Sequence, residues 1–242
     1  METWVKMTKK VIAFSLWGSD SRYLDGALQN ASLAHLFYPG WICRYYIGQS
    51  TFRNLNFISK LKSCNNVEII EMPEDGDWTG MFWRFHAAAD PSVGIMISRD
   101  ADSRLGFREA NAVNEWACSK KYFHIMRDHP QHGVSILGGM WGAKRGLLPD
   151  IRLAIEKYKP ESFWQTDQVF LDKVIYPRVK AHSMVHDEFF EKKPFPEASK
   201  ERNPNHFVGQ AYSGDGTVLD TPRYGIQSYL DYLNKQGYIW EA

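Results

Sequence analysis

The chain has 242 residues, with 29 Lys and Arg against 28 Asp and Glu and a formal net charge of +1. A near-neutral balance excludes a nucleic-acid binder that works by neutralising many phosphates, which shows itself as a strong basic excess. A hydrophobic share of 44% and an aromatic share of 14% exclude an intrinsically disordered chain. Lys9 and Lys10 precede the apolar run Val11 to Leu16, which ends at Gly18, the pattern of a buried first strand. Leu24, Ala27, Leu28, Ala31 and Ala34 then recur at helical spacing, with Ser19, Asp20 or Ser21 available as cap. "WICRYYIG" reads as a strand, "LNFISKLKS" as a helix, "VEIIEM" as a strand, "GMFWRFHAAAD" as a helix and "VGIMISRD" as a fourth strand. After it come a helix "REANAVNEWACSK", a strand "YFHIM" and the Gly-rich "GVSILGGMWGAK". Two helices, "LPDIRLAIEKY" and "TDQVFLDKVIY", lead to a short strand "AHSMVHD"; an irregular segment from Glu191 to Asn205 precedes a closing helix "GIQSYLDYLNKQGY".

Strand and helix alternating at this spacing imply an α/β fold with a mostly parallel sheet covered on both faces. No linker divides the chain, so the expectation is one domain over residues 1–242, with a nucleotide-binding half at about 11–105 and an acceptor-side half at about 106–242. Cys43, Cys64 and Cys118 are scattered without a CxxC pair. That suits a reducing compartment and buried small side chains better than disulfides or zinc. No apolar run approaches the roughly 20 residues that span a bilayer, and "METWVKMTKK" lacks the apolar segment of a signal peptide. The expectation is a soluble cytoplasmic protein with no transmembrane segment, peripheral membrane association being left open.

Chemistry concentrates at "IMISRDADSRLG". The strand order puts Asp100 and Asp102 at the carboxyl end of a parallel strand, the edge where open α/β sheets bind ligands. Two carboxylates there suit a hard divalent cation, which takes one or two of them together with phosphate oxygens and water. They equally suit two acids decorating a turn or capping the next helix. "GGMW" at Gly138 to Trp141 offers backbone that a ligand can approach and an indole suited to sugar stacking. Arg84, among the large apolar residues of "MFWRF", either has a carboxylate or phosphate partner or points to the surface. His186 at the end of an apolar run either completes a metal shell as neutral imidazole or is structural.

With Asp100-Ala101-Asp102 after a fourth strand, the chain resembles glycosyltransferases of the GT-A fold. "FSLWG", "YLDGALQNA", "YPGW", "GDWTGMFWRF", "SRDADSR", "HIMRDHPQHG", "ILGGMWGAK", "TDQ" and "VHDEFF" are together similar to small glycosyltransferases of bacteria and large algal viruses. The likeness runs from about Val11 to Phe190, with "HFVGQ" at His206 as a last echo. It implies that Asp100 and Asp102, with His186 as third ligand, bind Mn²⁺ or Mg²⁺ and through it the diphosphate of a UDP- or GDP-sugar. It places Leu16 and Trp17 near the base, Arg84 at the diphosphate or the aspartates, and Gly138, Gly139, Met140 and Trp141 on the sugar and acceptor side. Asp167 and Gln168 fall where related transferases keep a donor-sugar or catalytic carboxylate. Glycogenin-like relatives follow the metal histidine with His-x-x-Gly-x-x-Lys-Pro-Trp, whereas His186 is followed by "DEFFEKKPF", which lacks the glycine and brings Lys193-Pro194-Phe195 one residue late. Lys192 or Lys193 is the corresponding phosphate contact.

The implied reaction is glycosyl transfer to a hydroxyl on a glycan, a lipid-linked sugar or a polysaccharide, with Arg84 and Arg99 supporting the departing diphosphate. Asp167 and Asp128 are the candidate acid/base or sub-anomeric carboxylates, Asp128 being alternatively a turn former or the partner of Arg127. Two other readings compete. A phosphohydrolase of the haloacid dehalogenase type also sets Asp-x-Asp after an apolar strand, the first as nucleophile and the second as acid/base, although that motif normally opens the fold. An inert nucleotide-sugar-binding module needs the same crevice without turnover. A dinucleotide-binding fold is disfavoured because no GxGxxG follows the first strand.

Overall fold

The computed structural model describes residues 8–201, 206–219 and 226–235. Val11 to Leu16 offers no solvent-facing position, and all six residues are buried in β1 (Lys9–Leu16). The strand therefore lies in the middle of a sheet covered on both faces. Alternate residues divide between the two faces. Ile12, Phe14 and Leu16 pack on one side with α1 (Ser21–Phe37), α3 (Leu55–Lys62) and α4 (Phe107–Cys118), the short α2 (Gln49–Phe52) lying just before α3. Val11 and Ala13 face the aromatic residues of the segment Trp78–Ala89, α5 (Ile151–Tyr158) and α6 (Thr166–Phe170).

Seven strands form one sheet in the order β3-β2-β1-β4-β6-β5-β7, with β2 (Ile42–Ile47), β3 (Val67–Glu71), β4 (Val93–Ser98), β5 (Phe123–Arg127), β6 (Trp141–Lys144) and β7 (Ser183–Asp187). β1 to β4 run parallel, as does β7 beside β5, whereas β6 is antiparallel to both β4 and β5. The expected mostly parallel α/β sheet flanked by helices is what the chain forms. Strand β6 was not legible, because "WGAK" is too short to show a period. Gly142 in it is a steric requirement: a Cβ there would sit 2.9 Å from Ile97, the Met96 carbonyl and Trp116.

Two further elements depart from expectation. The helix over "GMFWRFHAAAD" is wound as 3₁₀ turns across Trp78–Ala89, far longer than the three or four residues usual for that winding. Three residues per turn align every third side chain. Trp78, Met81 and Arg84 form one file along the crevice, while Phe82, Phe85 and Ala88 form the next and are buried in the core. An α-helix would turn the first file away by about 60° per step. The second departure lies in the helix begun by α6, which widens into a π-turn at Leu171–Ile175 before α7 (Tyr176–Val179). Pro177, at the start of α7, has no N–H with which to continue the regular ladder. Of the expected closing helix, Ile226–Lys235 is helical as α8, and its flanks lie outside the described residues.

One buried side chain of α1 makes three hydrogen bonds to the turn after β4. Asn30, fully buried, donates to the carbonyls of Ala101 (3.3 Å) and Ser103 (2.8 Å) and accepts from the Leu105 N–H (3.0 Å). Asn30→Ala strands the buried Leu105 N–H and leaves the two carbonyls only their bonds from Arg104 Nη1, so chemical denaturation is expected to show a loss of about 1–3 kcal/mol at unchanged m-value. A loss below about 0.5 kcal/mol, within the range of ordinary surface substitutions, would show that water replaces the amide.

Candidate active site

A crevice of about 580 Å³ opens at the carboxyl ends of β1 and β4. Its floor is the turn Asp100 to Asp102, and its walls come from Ser15 to Tyr23, the 3₁₀ file, Leu137 to Met140 and Trp164 to Gln168. Gly209 and Ala211 close it from the returning chain, where the Tyr212 N–H donates to the Asp102 carbonyl at 2.8 Å. Leu16, Trp17, Arg84, Asp100, Asp102, Gly138, Met140, Asp167 and Gln168 all line this crevice. The topology thus brings together residues from five separate stretches that the sequence singled out.

Arg84 is the hub. Its backbone N–H donates to Ser15 Oγ (3.0 Å), and its guanidinium bonds the Asp100 carboxylate, Asp167 Oδ2 (2.9 Å) and the Arg99 carbonyl (3.2 Å). It is 4% exposed, so a charged partner is needed to hold it there. Asp167 accepts the Gln168 N–H at 2.8 Å on its other oxygen. Burial pushes its carboxyl up, against the downward pull of Arg84. Gly138 and Gly139 are small for the same reason, since a Cβ on Gly138 would strike Asp167 and Arg84, and one on Gly139 would strike Asp100.

Asp102 lies deeper than Asp100, with 16% against 44% of its side chain exposed. Burial, together with the Asp100 charge, pushes its carboxyl up to about 6. Its nearest cation is Arg22 of α1, with Nε 3.9 Å from Asp102 Oδ2 and Nη2 donating to Tyr23 Oη at 2.8 Å. Burial and Asp102 raise the Tyr23 hydroxyl to about 12, so it remains protonated. Two neighbouring carboxylates, the solvent-facing one close enough to raise the other, form an all-oxygen donor pair that fits Mg²⁺ or Mn²⁺ with water and phosphate completing the shell. Among the described residues, no group of three or more His, Cys, Asp or Glu is arranged to hold a metal ion.

Five expected site residues lie elsewhere. His186 is on β7, three strand spacings from β4, about 14 Å at the usual strand separation. Its Nδ1 is 2.8 Å from His124 Nε2, its Nε2 is 3.5 Å from Glu115, and burial holds both imidazoles below their ordinary range. It is not a third ligand beside Asp100 and Asp102. Asp128 is wholly buried and receives Arg108 Nε and Nη2, each at 3.1 Å, and the Val208 N–H at 2.9 Å. It braces the returning chain and faces no substrate space; its arginine is Arg108, while Arg127 pairs with Asp187 and Glu191. Arg99 follows β4 on the opposite side from Asp100, 1% exposed, with Nε 3.3 Å from Glu109. Trp141 is wholly buried between Phe85 and Phe123 and stacks on no ligand. Lys193 is exposed, reaches Glu191 at 2.6 Å and is not on the crevice wall.

The crevice also holds residues passed over in the sequence: Arg22, Tyr23, Trp78, Met81, His132 and Trp164. Arg22 was findable, because the Asp20 cap, which accepts the Arg22 N–H at 2.9 Å, puts Arg22 in the first turn of the helix that faces the site. At the outer lip, Asp77 accepts the Thr79 N–H and hydroxyl, each at 2.7 Å, which cap the start of the 3₁₀ segment and hold the carboxyl below the usual carboxylate range.

No protein-family model matches the chain, and no curated protein matches it. Among solved structures, it is similar to a glycosyltransferase involved in the glycosylation of the major capsid of PBCV-1, at 15% identity over 76% of this chain and 84% of that one, TM-score 0.49. It is similar to mannosyltransferase PcManGT from Pyrobaculum calidifontis, solved with GDP-Man and Mn²⁺, at 12% identity over 77% and 59%, TM-score 0.48. It is similar again to 4-diphosphocytidyl-2C-methyl-D-erythritol synthase from Anaerococcus prevotii, at 12% identity over 78% and 92%, TM-score 0.45. At these identities and scores the likenesses assign neither activity nor ligand to this chain.

Arg84→Met strands two carboxylates in a half-dry crevice and is expected to cost about 3–5 kcal/mol in chemical denaturation. Arg84→Met combined with Asp167→Asn is expected to cost less than the sum of the two single changes. Additive losses would show that the two side chains do not depend on each other.

Proposed function

We propose that the chain is a metal-dependent glycosyltransferase that moves a sugar from a nucleoside diphosphate sugar, a UDP- or GDP-sugar, to a hydroxyl of a glycan, lipid-linked sugar or polysaccharide. The observation that carries this reading is the charge of the crevice. Asp20, Asp77, Asp100, Asp102 and Asp167 line it against Arg22 and Arg84. Such a surface repels a bare diphosphate and accepts one that arrives with a divalent cation. Asp100 and Asp102 supply the oxygen donors for that cation, with Arg84 beside the first and Arg22 beside the second. When bound, Mn²⁺ or Mg²⁺ supplies Lewis-acid neutralisation of the departing diphosphate.

In the reaction an acceptor hydroxyl oxygen forms a bond to the anomeric carbon, the bond from that carbon to the diphosphate breaks with its electron pair going to phosphate, and the hydroxyl proton is released. Arg84, held by Asp100 and Asp167, presents a fixed guanidinium that stabilises charge on the leaving group without reorganising. Asp167 serves on the sugar side, as base or sub-anomeric group, and its raised carboxyl pKa suits proton transfer while Arg84 keeps it oriented. Leu16 and Trp17 form the wall for the nucleoside, and Gly138, Met140 and Gln168 line the sugar side.

A haloacid dehalogenase-type hydrolase is not favoured. Its nucleophile requires an unencumbered first aspartate, and Asp100 is ion-paired to Arg84. The test is release of nucleoside diphosphate from a panel of UDP- and GDP-sugars, with and without Mn²⁺ and with saccharide acceptors added. Metal-dependent release supports the reading; phosphate release from simple phosphomonoesters would replace it with the hydrolase, and metal-dependent binding without turnover with the inert module. Asp102→Asn is expected to abolish metal-dependent donor binding in calorimetry while the melting temperature is kept, and unchanged donor affinity would refute the metal role. Asp167→Ala is expected to lower kcat by more than it weakens donor binding; equal losses would reduce Asp167 to a binding residue.

A further inference from the structure

Two indoles stand exposed on one lip of the crevice, and nothing in the donor chemistry uses them. Trp41, Trp83, Trp116 and Trp141 are buried, whereas Trp78 is 43% and Trp164 67% exposed although both line the crevice. They come from segments far apart in sequence that the fold brings to the same crevice. Trp78 heads the 3₁₀ file that leads inward through Met81 to Arg84. Trp164 precedes Gln165, whose φ of 69° is left-handed, a conformation that a non-glycine residue keeps only where its surroundings impose it. Gln165 and Gln168 of the same segment also line the crevice, and Asp167 between them in sequence is buried.

Exposed aromatic surface continuous with a polar crevice marks a binding surface. The geometry points to Trp78 and Trp164 as a stacking platform for the acceptor saccharide, with Gln165 reading its hydroxyls. The inference rests on the donor reading above and adds the acceptor side to it. Beside the two indoles the lip carries Asp77 and, among the described residues that line it, no cation. From Trp164 to Gln168 the lining side chains are an indole, two amides and a carboxylate already engaged by Arg84, with no cation to hold a phosphate. A pyranose has an apolar C–H face that suits an indole and a rim of hydroxyls that suits amides, which donate and accept. A nucleobase also stacks on indole, and that occupant is an outcome of the test.

The experiment uses saturation-transfer NMR on the whole chain with a panel of methyl hexosides and hexose disaccharides, with and without UDP or GDP plus Mg²⁺. Nucleotide affinity is measured separately by calorimetry. The wild-type chain is expected to saturate the ring C–H protons of at least one saccharide. Trp164→Ala and Trp78→Ala are expected to weaken that saccharide at least tenfold, Trp164→Phe to restore most of the loss, and all three to keep nucleotide affinity within about twofold. Saccharide binding that survives both alanine variants overturns the platform, as does a wild-type chain that binds nucleotide and none of the saccharides. A loss of nucleotide affinity in the alanine variants overturns it in favour of a nucleobase platform. Saccharide binding through the two indoles with no nucleotide binding upholds the platform and overturns the donor reading alone.

Discussion

The guanidinium of Arg84 sits where three distant parts of the chain meet: the 3₁₀ segment that carries it, the turn after β4 that carries Asp100, and the first turn of α6 that carries Asp167. A buried cation with two carboxylates is costly to separate, because each stranded partner loses water without regaining a counter-charge. Much local architecture follows from that. Gly138 and Gly139 leave room for the carboxylates, Ser15 takes the Arg84 backbone N–H, and the 3₁₀ winding keeps Arg84 in file with Met81 and Trp78 along the crevice. The ion-pair cluster therefore positions both the floor of the site and the wall that carries Asp167.

Around this hub the crevice is built with more carboxylate than guanidinium, a charge balance that disfavours a bare anionic ligand. The excess becomes intelligible if a cation is part of the ligand. Asp102, pushed up by burial and by Asp100, marks a place where negative charge is costly and where a divalent ion would relieve repulsion. Asn30 and the Tyr212 N–H hold the backbone of that turn from opposite directions, so the two carboxylates are presented by a fixed loop. The outer lip is different in character, with two exposed indoles and two glutamines beside Asp77.

The parts legible in sequence were those set by local pattern. Six consecutive buried residues in β1 and the helical spacing in α1 identify themselves, and Asp100 and Asp102 sit at the sheet edge that the strand order implied, in a crevice also lined by Asp167 and Gln168, which only the resemblance had singled out. The parts that were not legible depend on three-dimensional neighbours. Asp128 and Arg99 carry charges that suggest chemistry, yet each is matched by one deep partner, Arg108 and Glu109, from a helix residues away. His186 sits at a strand end as expected, but insertion of the short antiparallel β6 places β7 at the far edge of the sheet. Trp141 belongs to that same unrecognised strand, which is why its indole is core. Period-three spacing from Trp78 to Arg84 was present in the sequence, and a helix assumed to be α hid its consequence.

The most direct measurement is a crystal structure with Mn²⁺ and either UDP or GDP, with anomalous differences collected at the manganese edge. The account predicts one anomalous peak within coordination distance, about 2.0–2.6 Å, of both Asp100 and Asp102 carboxylate oxygens, with diphosphate oxygens on the same ion and the Arg84 guanidinium beside them. A nucleotide seated in the crevice with no metal at those carboxylates, or a metal held at His186, would contradict it.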